Sequence, residues 1–248
     1  MKIFIAVTFI LVTSPIFSQT MVIRSTAGVY TDILTSNIER IDFAPCGIIV
    51  YEGQTYHTIK IGNQCWFAEN LNVGTRINGS ADQTNNSTIE KYCYGDVESN
   101  CTTYGGLYQW AEAVQYQNGA TNTTSPSPAF SGNVQGICPT GWHIPTNTEF
   151  QTLASSATVN NDGNTLKAIG QGTGSGVGTN TSGFSALLAG FRDASGTLIW
   201  LNIGEGFWSS TETSSINADY MDLYYGDSNI RFDYNYKIDG FSVRCLKD

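Results

Sequence analysis

Six cysteines, Cys46, Cys65, Cys93, Cys101, Cys138 and Cys245, form an even set downstream of a segment built for export. Residues 1–18 carry the positive charge of Lys2, a short apolar run over residues 3–12, and Pro15 and Ser18 ahead of a cleavage point, the layout of a secretory signal peptide. An exported chain meets oxidising conditions, so the thiols are expected as disulfides, in any of many connectivities. Cys93 and Cys101 bracket the polar run YGDVESN and would close it locally. Joining Cys138 to Cys245 would remove more denatured-state entropy, about 4 to 5 kcal/mol in the chain-entropy model. Cys46 and Cys65 would then be left for each other.

The apolar run of the leader is too short to span a bilayer, and no later segment is both long and uncharged enough, so no transmembrane segment is expected in the mature chain. No cysteine lies near the cleavage point, which argues against a lipid-modified N-terminus. The mature length of about 230 residues suits one main domain. A net charge of −9 without a basic cluster argues against nucleic acid or an anionic membrane as partner. The acidity is explained by solubility, with a sharper alternative that some carboxylates hold Ca²⁺, a hard cation that prefers oxygen ligands.

The segment at 19–45 is expected to be a short strand-turn-strand element with a helical stretch, too small to bury its own core. From Gly47 the run GIIVYEGQTYHTIKIGNQCWFAENL alternates apolar and polar residues around turns at Gly53 and Gly62-Asn63, the pattern of a β-meander. Leu107, Trp110, Ala111 and Val114 fall at helical spacing. A second helix is expected after Pro145, where Thr146 and Glu149 stand in a capping-box relation. Residues 117–136 read as a polar loop, and the Gly-rich run at 170–183 as a mobile one without the Lys-Ser/Thr of a phosphate-binding loop. Strands follow to the end. In the last, Phe241, Val243 and Cys245 are expected on one face and Ser242 and Arg244 on the other.

The motifs GQTYHTIKIGNQCWFAENL, YCYGD, YGGLYQWAEA, GICPTGWHIPTNTEF, GFSALLAGFRDASG, GFWSSTE and GFSVRCLKD, in that order, resemble the Fibrobacter succinogenes major paralogous domain family over about residues 47–248. That family is similar to the C-type-lectin and formylglycine-generating-enzyme superfold. The resemblance implies an α+β domain over 46–248: a C-type-lectin-like twisted antiparallel sheet with two flanking helices and long loops, stapled by disulfides. It implies a bridge from Cys138 to Cys245. Where the family has a tryptophan pair this chain has Cys65-Trp66, which fits an extra bridge to Cys46. Where it has WWSSTE, this chain has Phe207 before Trp208.

Catalytic patterns are sparse. The two histidines, His57 and His143, stand in no metal-protease motif, and His143 in GWHIP reads as a core or hydrogen-bonding residue. An oxidase on this superfold works through a closely spaced cysteine pair near its C-terminus, where this chain offers Cys245 alone. Asp193, Glu212, Asp219 and Asp222 are available for acid/base work but read better as turn caps and solvated strand positions. Arg192-Asp193 reads as a local salt bridge or turn cap. Trp208 reads as core.

The binding reading rests on Tyr220, Tyr224, Tyr225, Tyr234 and Tyr236 beside Glu212, Asp219, Asp222, Asp227 and Asp233, because aromatic faces stack on sugars while carboxylates take hydroxyls. Tyr220, Tyr224, Tyr234, Tyr236, Glu212 and Asp222 are the candidate ligand residues. The expectation is an exported, non-catalytic module, extracellular, at the cell surface or periplasmic, that binds extracellular polysaccharide or surface protein. The alternatives are an enzyme on the same scaffold and a structural envelope protein. The usual lectin Ca²⁺ triplets E-P-N and Q-P-D are missing.

Overall fold

The computed structural model describes residues 20–24, 30–34 and 46–248. The signal peptide expected over 1–18 and the helical stretch and strand expected within 35–45 lie outside the described residues. The chain divides into two units, Met1–Phe43 and Ala44–Asp248. In the first, β1 (Thr20–Arg24) and β2 (Tyr30–Leu34) form an antiparallel hairpin, with Val22 opposite Asp32.

The second unit opens with the expected meander: β3 (Ile48–Tyr51), β4 (Gln54–Ile61) and β5 (Gln64–Phe67) pair antiparallel. The next short strands, β6 (Thr75–Arg76) and β7 (Glu90–Lys91), pair parallel. The polar run between Cys93 and Cys101 is not a plain loop, for it starts α1 (Glu98–Tyr104). Glu98 lies at the positive end of that helix dipole, and Gly105, at φ +83°, ends it.

The helix expected from Leu107 to Val114 shrinks to one turn. Leu107 bridges Tyr92, β8 (Tyr108–Gln109) is extended, and only α2 (Trp110–Ala113) is helical before Gln115 and Tyr116 adopt positive φ. Spacing alone misled because Leu107, Trp110, Ala111 and Val114 are all buried, whatever the backbone period.

β9 (Trp142–His143) leads into α3 (Asn147–Ser155), whose start has the full capping box between Thr146 and Glu149. The chain thus has three helices among the described residues, one more than expected.

β10 (Ala189–Arg192), β11 (Leu198–Leu201), β12 (Gly204–Ser214), β13 (Asn217–Tyr224), β14 (Ile230–Tyr236), β15 (Gly240–Phe241) and β16 (Leu246–Lys247) complete the fold. One sheet runs β14-β13-β12-β10-β15-β8 with β11 on β10, and a second runs β3-β4-β5-β16-β9. The result is mixed but mostly sheet.

The β12–β13 pair divides the interior. Phe207, Met221 and Leu223 face a core with Phe150, Leu153 and Phe184, while Trp208 and Ala218 face one with Trp110, Trp142 and Phe241. Trp208 is buried, as its place in mid-strand suggested.

The last expected strand is broken. Its ends pair as β15 and β16 and Ser242 makes a single parallel bridge with Phe207 between them, while Ser242 and Arg244 are as buried as Val243 and Cys245. Alternation failed here because both sides of the segment are covered. The Arg244 guanidinium donates to Asn70 Oδ1 at 3.0 Å and to the carbonyl of Phe184, and lies 4.3 Å from the centre of the Phe184 ring. Its counter-charge is Glu205, which accepts from the N–H groups of Leu187 and Leu188 at 2.9 and 3.1 Å. Burial holds Glu205 above and Arg244 below their ordinary values, the latter at about 10.

Two further expectations are corrected. Arg192 does not pair with Asp193: it is buried, stacks on Tyr92, and donates to Asp82 at 2.9 Å and to the carbonyls of Gly79 and Ile238. Asp193 takes the other expected role and caps the turn, accepting from the Ser195 and Thr197 N–H groups. The Gly-rich run at 170–183 is also tied down. Thr173 N–H donates to the Tyr225 carbonyl at 2.8 Å, and a Cβ at Gly176 would lie 2.1 Å from that same oxygen. Here glycine serves close packing.

Three disulfides staple the unit: Cys46 to Cys65, Cys93 to Cys101 and Cys138 to Cys245. The last joins the segment before β9 to the segment before β16, two neighbouring strands of the second sheet. The bridges are consistent with an exported protein. Among the described residues no helix is long and apolar enough to cross a membrane.

Candidate binding face

Strand pairing assigns each tyrosine to a face. Cross-strand partners share a face, and on β13 Tyr220 stands opposite Trp208 and Asp233, Asp222 opposite Gly206 and Arg231, and Tyr224 opposite Gly204. Tyr220, Asp222 and Tyr224 therefore project together, while Met221 and Leu223 point into the core. On β14, Arg231 and Asp233 join this face, whereas Tyr234 and Tyr236 pair with Asp219 and Asn217 and project from the other. The six expected ligand residues do not form one site.

Tyr234 and Tyr236 are the most open of the set, at 56% and 53% exposure, but stand apart from Asp222. Glu212 is committed to the buried Lys237 ammonium, which lies 4.3 Å from the Trp110 ring centre. Asp219 accepts from Asn147 Nδ2 at 2.7 Å and from Thr213. With Asp193 capping its turn, the four acids considered for catalysis each serve a separate partner.

The face that remains is aromatic. Its outermost member is Trp200 on β11, at 45% exposure. Trp200 holds φ +68° opposite Gly190 at φ +72°, a double departure from extended geometry in the β10–β11 ladder that re-aims the indole. The ring then lies against Gly204, where a Cβ would come within 3.2 Å of it. Phe191 and Tyr224 flank it edge-on, with centroids at 5.4 and 6.1 Å, and Tyr225 abuts Tyr224 at 4.8 Å. Beneath, Tyr220 stacks on Phe241 at 4.9 Å, and the two rings occupy the space that Gly206 leaves open.

Polar groups line one side of these rings. Arg231 packs over Tyr224 at 5.6 Å and is ion-paired to Asp227, while its Nη1 sits 3.9 Å from Asp222 Oδ1. Neither of those last two atoms has a hydrogen-bond partner, so the pair is under-satisfied. Burial first, opposed by Arg231, pushes the Asp222 carboxyl up to about 6. Burial and then Asp222 push Tyr220 up to about 12, so its phenol stays a neutral hydroxyl. The buried Lys167 ammonium fixes the adjoining turn by donating to the carbonyls of Tyr224 and Asp227 at 2.9 and 2.7 Å.

The cation beside Asp222 and Asp227 on this face is the Arg231 guanidinium. Among the described residues no three His, Cys, Asp or Glu side chains are gathered for a metal. His143 is buried between Glu149 at 3.0 Å and Asp248 at 2.8 Å, in the hydrogen-bonding role expected of it. His57 Nδ1 lies 2.7 Å from Glu69.

A family model described as the Fibrobacter succinogenes major domain matches residues 59–247. The chain belongs to this family. No curated protein and no solved structure matches it. The Fibrobacter succinogenes major domain here contains every residue of the aromatic face, whereas Cys46 precedes the match and is tied into it through Cys65.

Sequence reading missed Trp200. Its signal is the run LIWL beside the turn at Ser195-Gly196: four successive apolar residues in a strand cannot all point inward at period two. A second missed signal is Gly204 and Gly206, alternate positions that strip side chains from one face of β12 and leave room for rings.

Proposed function

We propose that this domain is an exported, non-catalytic binding module whose ligand is extracellular polysaccharide, held on the face of Trp200, Tyr224 and Tyr220 with Asp222 and Arg231 at its edge. The observation that carries the reading is the half-exposed Trp200 ring, held in a costly backbone conformation and flanked by aromatic and under-satisfied polar groups. Sugars present apolar C–H faces to such rings and hydroxyls to such polar groups, and strained residues gather at functional positions. The resemblance to C-type lectins expected from the sequence motifs points the same way.

A non-catalytic role is supported by the state of the reactive groups. Cys245 is bridged to Cys138, which withholds the thiol that the oxidase reading needs. The candidate acids are dispersed: Asp219 and Asp222 on opposite faces of β13, Glu212 on β12 and Asp193 at a separate turn. The test is affinity electrophoresis through gels cast with polysaccharides, for the wild type and Trp200→Ala, with and without EDTA. Retardation lost in the variant and unchanged by EDTA supports the proposal. Retardation equal in both proteins moves the site elsewhere, EDTA sensitivity restores the Ca²⁺ reading, and no retardation on any polysaccharide leaves a protein ligand or a structural role.

A further inference from the structure

We infer that the aromatic face selects single, uncharged polysaccharide chains and rejects acidic ones; this rests on the polysaccharide reading above and names its ligand class. The charge on this face is mostly negative. The ionisable groups that face the site from β13 and β14 and their connecting turn are Asp222, Asp227, Asp233 and Arg231, with Tyr220 a neutral phenol. From β12 this face carries Gly204 and Gly206, both uncharged, with Trp208 buried beneath it, while Glu205 points into the other core against Arg244. The β11 run LIWL adds no charge, and on β10 Arg192 turns away to Asp82.

The one guanidinium is already engaged. Asp227 holds its Nη2, and its Nη1 is buried toward Asp222. A uronate or sulfate on a ligand would find no free cation and would meet surplus carboxylates across a face where like charges repel. Uncharged hydroxyls have no such cost, because they can donate to the carboxylates and accept from phenols.

The face is also uneven in shape. The planes of Trp200 and Tyr224 are inclined by 61°, those of Trp200 and Phe191 by 79°, and those of Tyr224 and Tyr225 by 71°. Neighbouring rings thus share no common plane. A flat array of packed chains could touch one ring but not its neighbours, whereas one flexible chain can lay a sugar on Trp200 and turn its next residue toward Asp222.

The experiment measures affinity of the full mature protein at low salt for soluble β-glucan and galactomannan, for polygalacturonate and alginate, and for microcrystalline cellulose. The inference expects at least tenfold tighter binding to one of the soluble neutral polymers than to either acidic one. It expects added salt to leave neutral binding unchanged and to raise acidic binding. Asp233→Asn, at an exposed rim position, should narrow the neutral-to-acidic ratio severalfold. Acidic binding equal to or tighter than neutral overturns this inference while sparing the polysaccharide reading, and capture on the crystalline solid with no soluble binding overturns the single-chain part. Binding to none of the polymers overturns both readings together.

Discussion

Replacing Cys138 and Cys245 together by alanine removes the crosslink that closes the longest loop, 107 residues, against 19 for Cys46 with Cys65 and 8 for Cys93 with Cys101. The chain-entropy relation then assigns about 4.8 kcal/mol to the first bridge, about 3.2 to the second and about 2.5 to the third at 25 °C. Cys93, Cys101, Cys138 and Cys245 are all fully buried, so the packing lost with the sulfur atoms is similar in the first and third pairs. The difference of about 2.3 kcal/mol between these two pairs is therefore topological. Guanidinium unfolding followed by tryptophan fluorescence, with each pair replaced in turn, reads the order directly, and the m-value should rise most for the 138/245 variant because its denatured state expands most. The reasoning is refuted if the 93/101 variant is destabilised as much as the 138/245 variant or more.

Trp200→Gly should melt higher than Trp200→Ala, by about 1 kcal/mol in stability, because glycine adopts φ +68° without the steric cost that alanine keeps; equal melting temperatures would show that the backbone there is unstrained. Burial alone would lower the His143 pKa, but its bonds to Glu149 and Asp248 outweigh that and hold it above the ordinary value. Its stabilising contribution is then complete below the unfolded pKa and is lost as pH rises through the higher folded value, so His143→Gln should flatten the stability profile as pH rises above about 6.5. Asp222 has its folded pKa raised to about 6, so its contribution is present at low pH and lost as pH rises through that value. Asp222→Asn should therefore gain on the order of 1 to 2 kcal/mol over wild type at pH 8 and much less at about pH 3, below the unfolded value, read from urea midpoints; a gain independent of pH contradicts the assignment.

The local rules that held in the sequence are those fixed by few neighbours. The β3–β5 meander followed from alternation and glycine turns, and the start of α3 followed from Thr146 and Glu149 satisfying each other's backbone. The rules that failed are those that tertiary contacts override. Residues 107–114 have helical spacing but are buried on every side, so spacing there carried no information about the backbone. Parity placed Arg244 on the face opposite Cys245, yet Glu205, Asn70 and the Phe184 ring give it a seat as buried as that of the cysteine, which no local pattern announces. The candidate site was half legible. Tyr220, Asp222 and Tyr224 were found because they cluster in sequence; Tyr234 and Tyr236 were grouped with them because proximity along a hairpin ignores which face each strand presents. Trp200 escaped because its outward aim depends on paired positive φ values across the β10–β11 ladder.

Trp200 also provides the most direct test. Of the five tryptophans, Trp66, Trp110, Trp142 and Trp208 are buried, and Trp200 alone is exposed. Limited oxidation with N-bromosuccinimide, mapped by peptide mass spectrometry with and without a saturating neutral polysaccharide, asks whether a ligand covers this ring. The account predicts that Trp200 oxidises first in the free protein and is protected in the complex, while tyrosine nitration at Tyr234 and Tyr236 proceeds unchanged. Unchanged oxidation of Trp200, with protection at Tyr234 and Tyr236 instead, would place the ligand on the opposite face and contradict it.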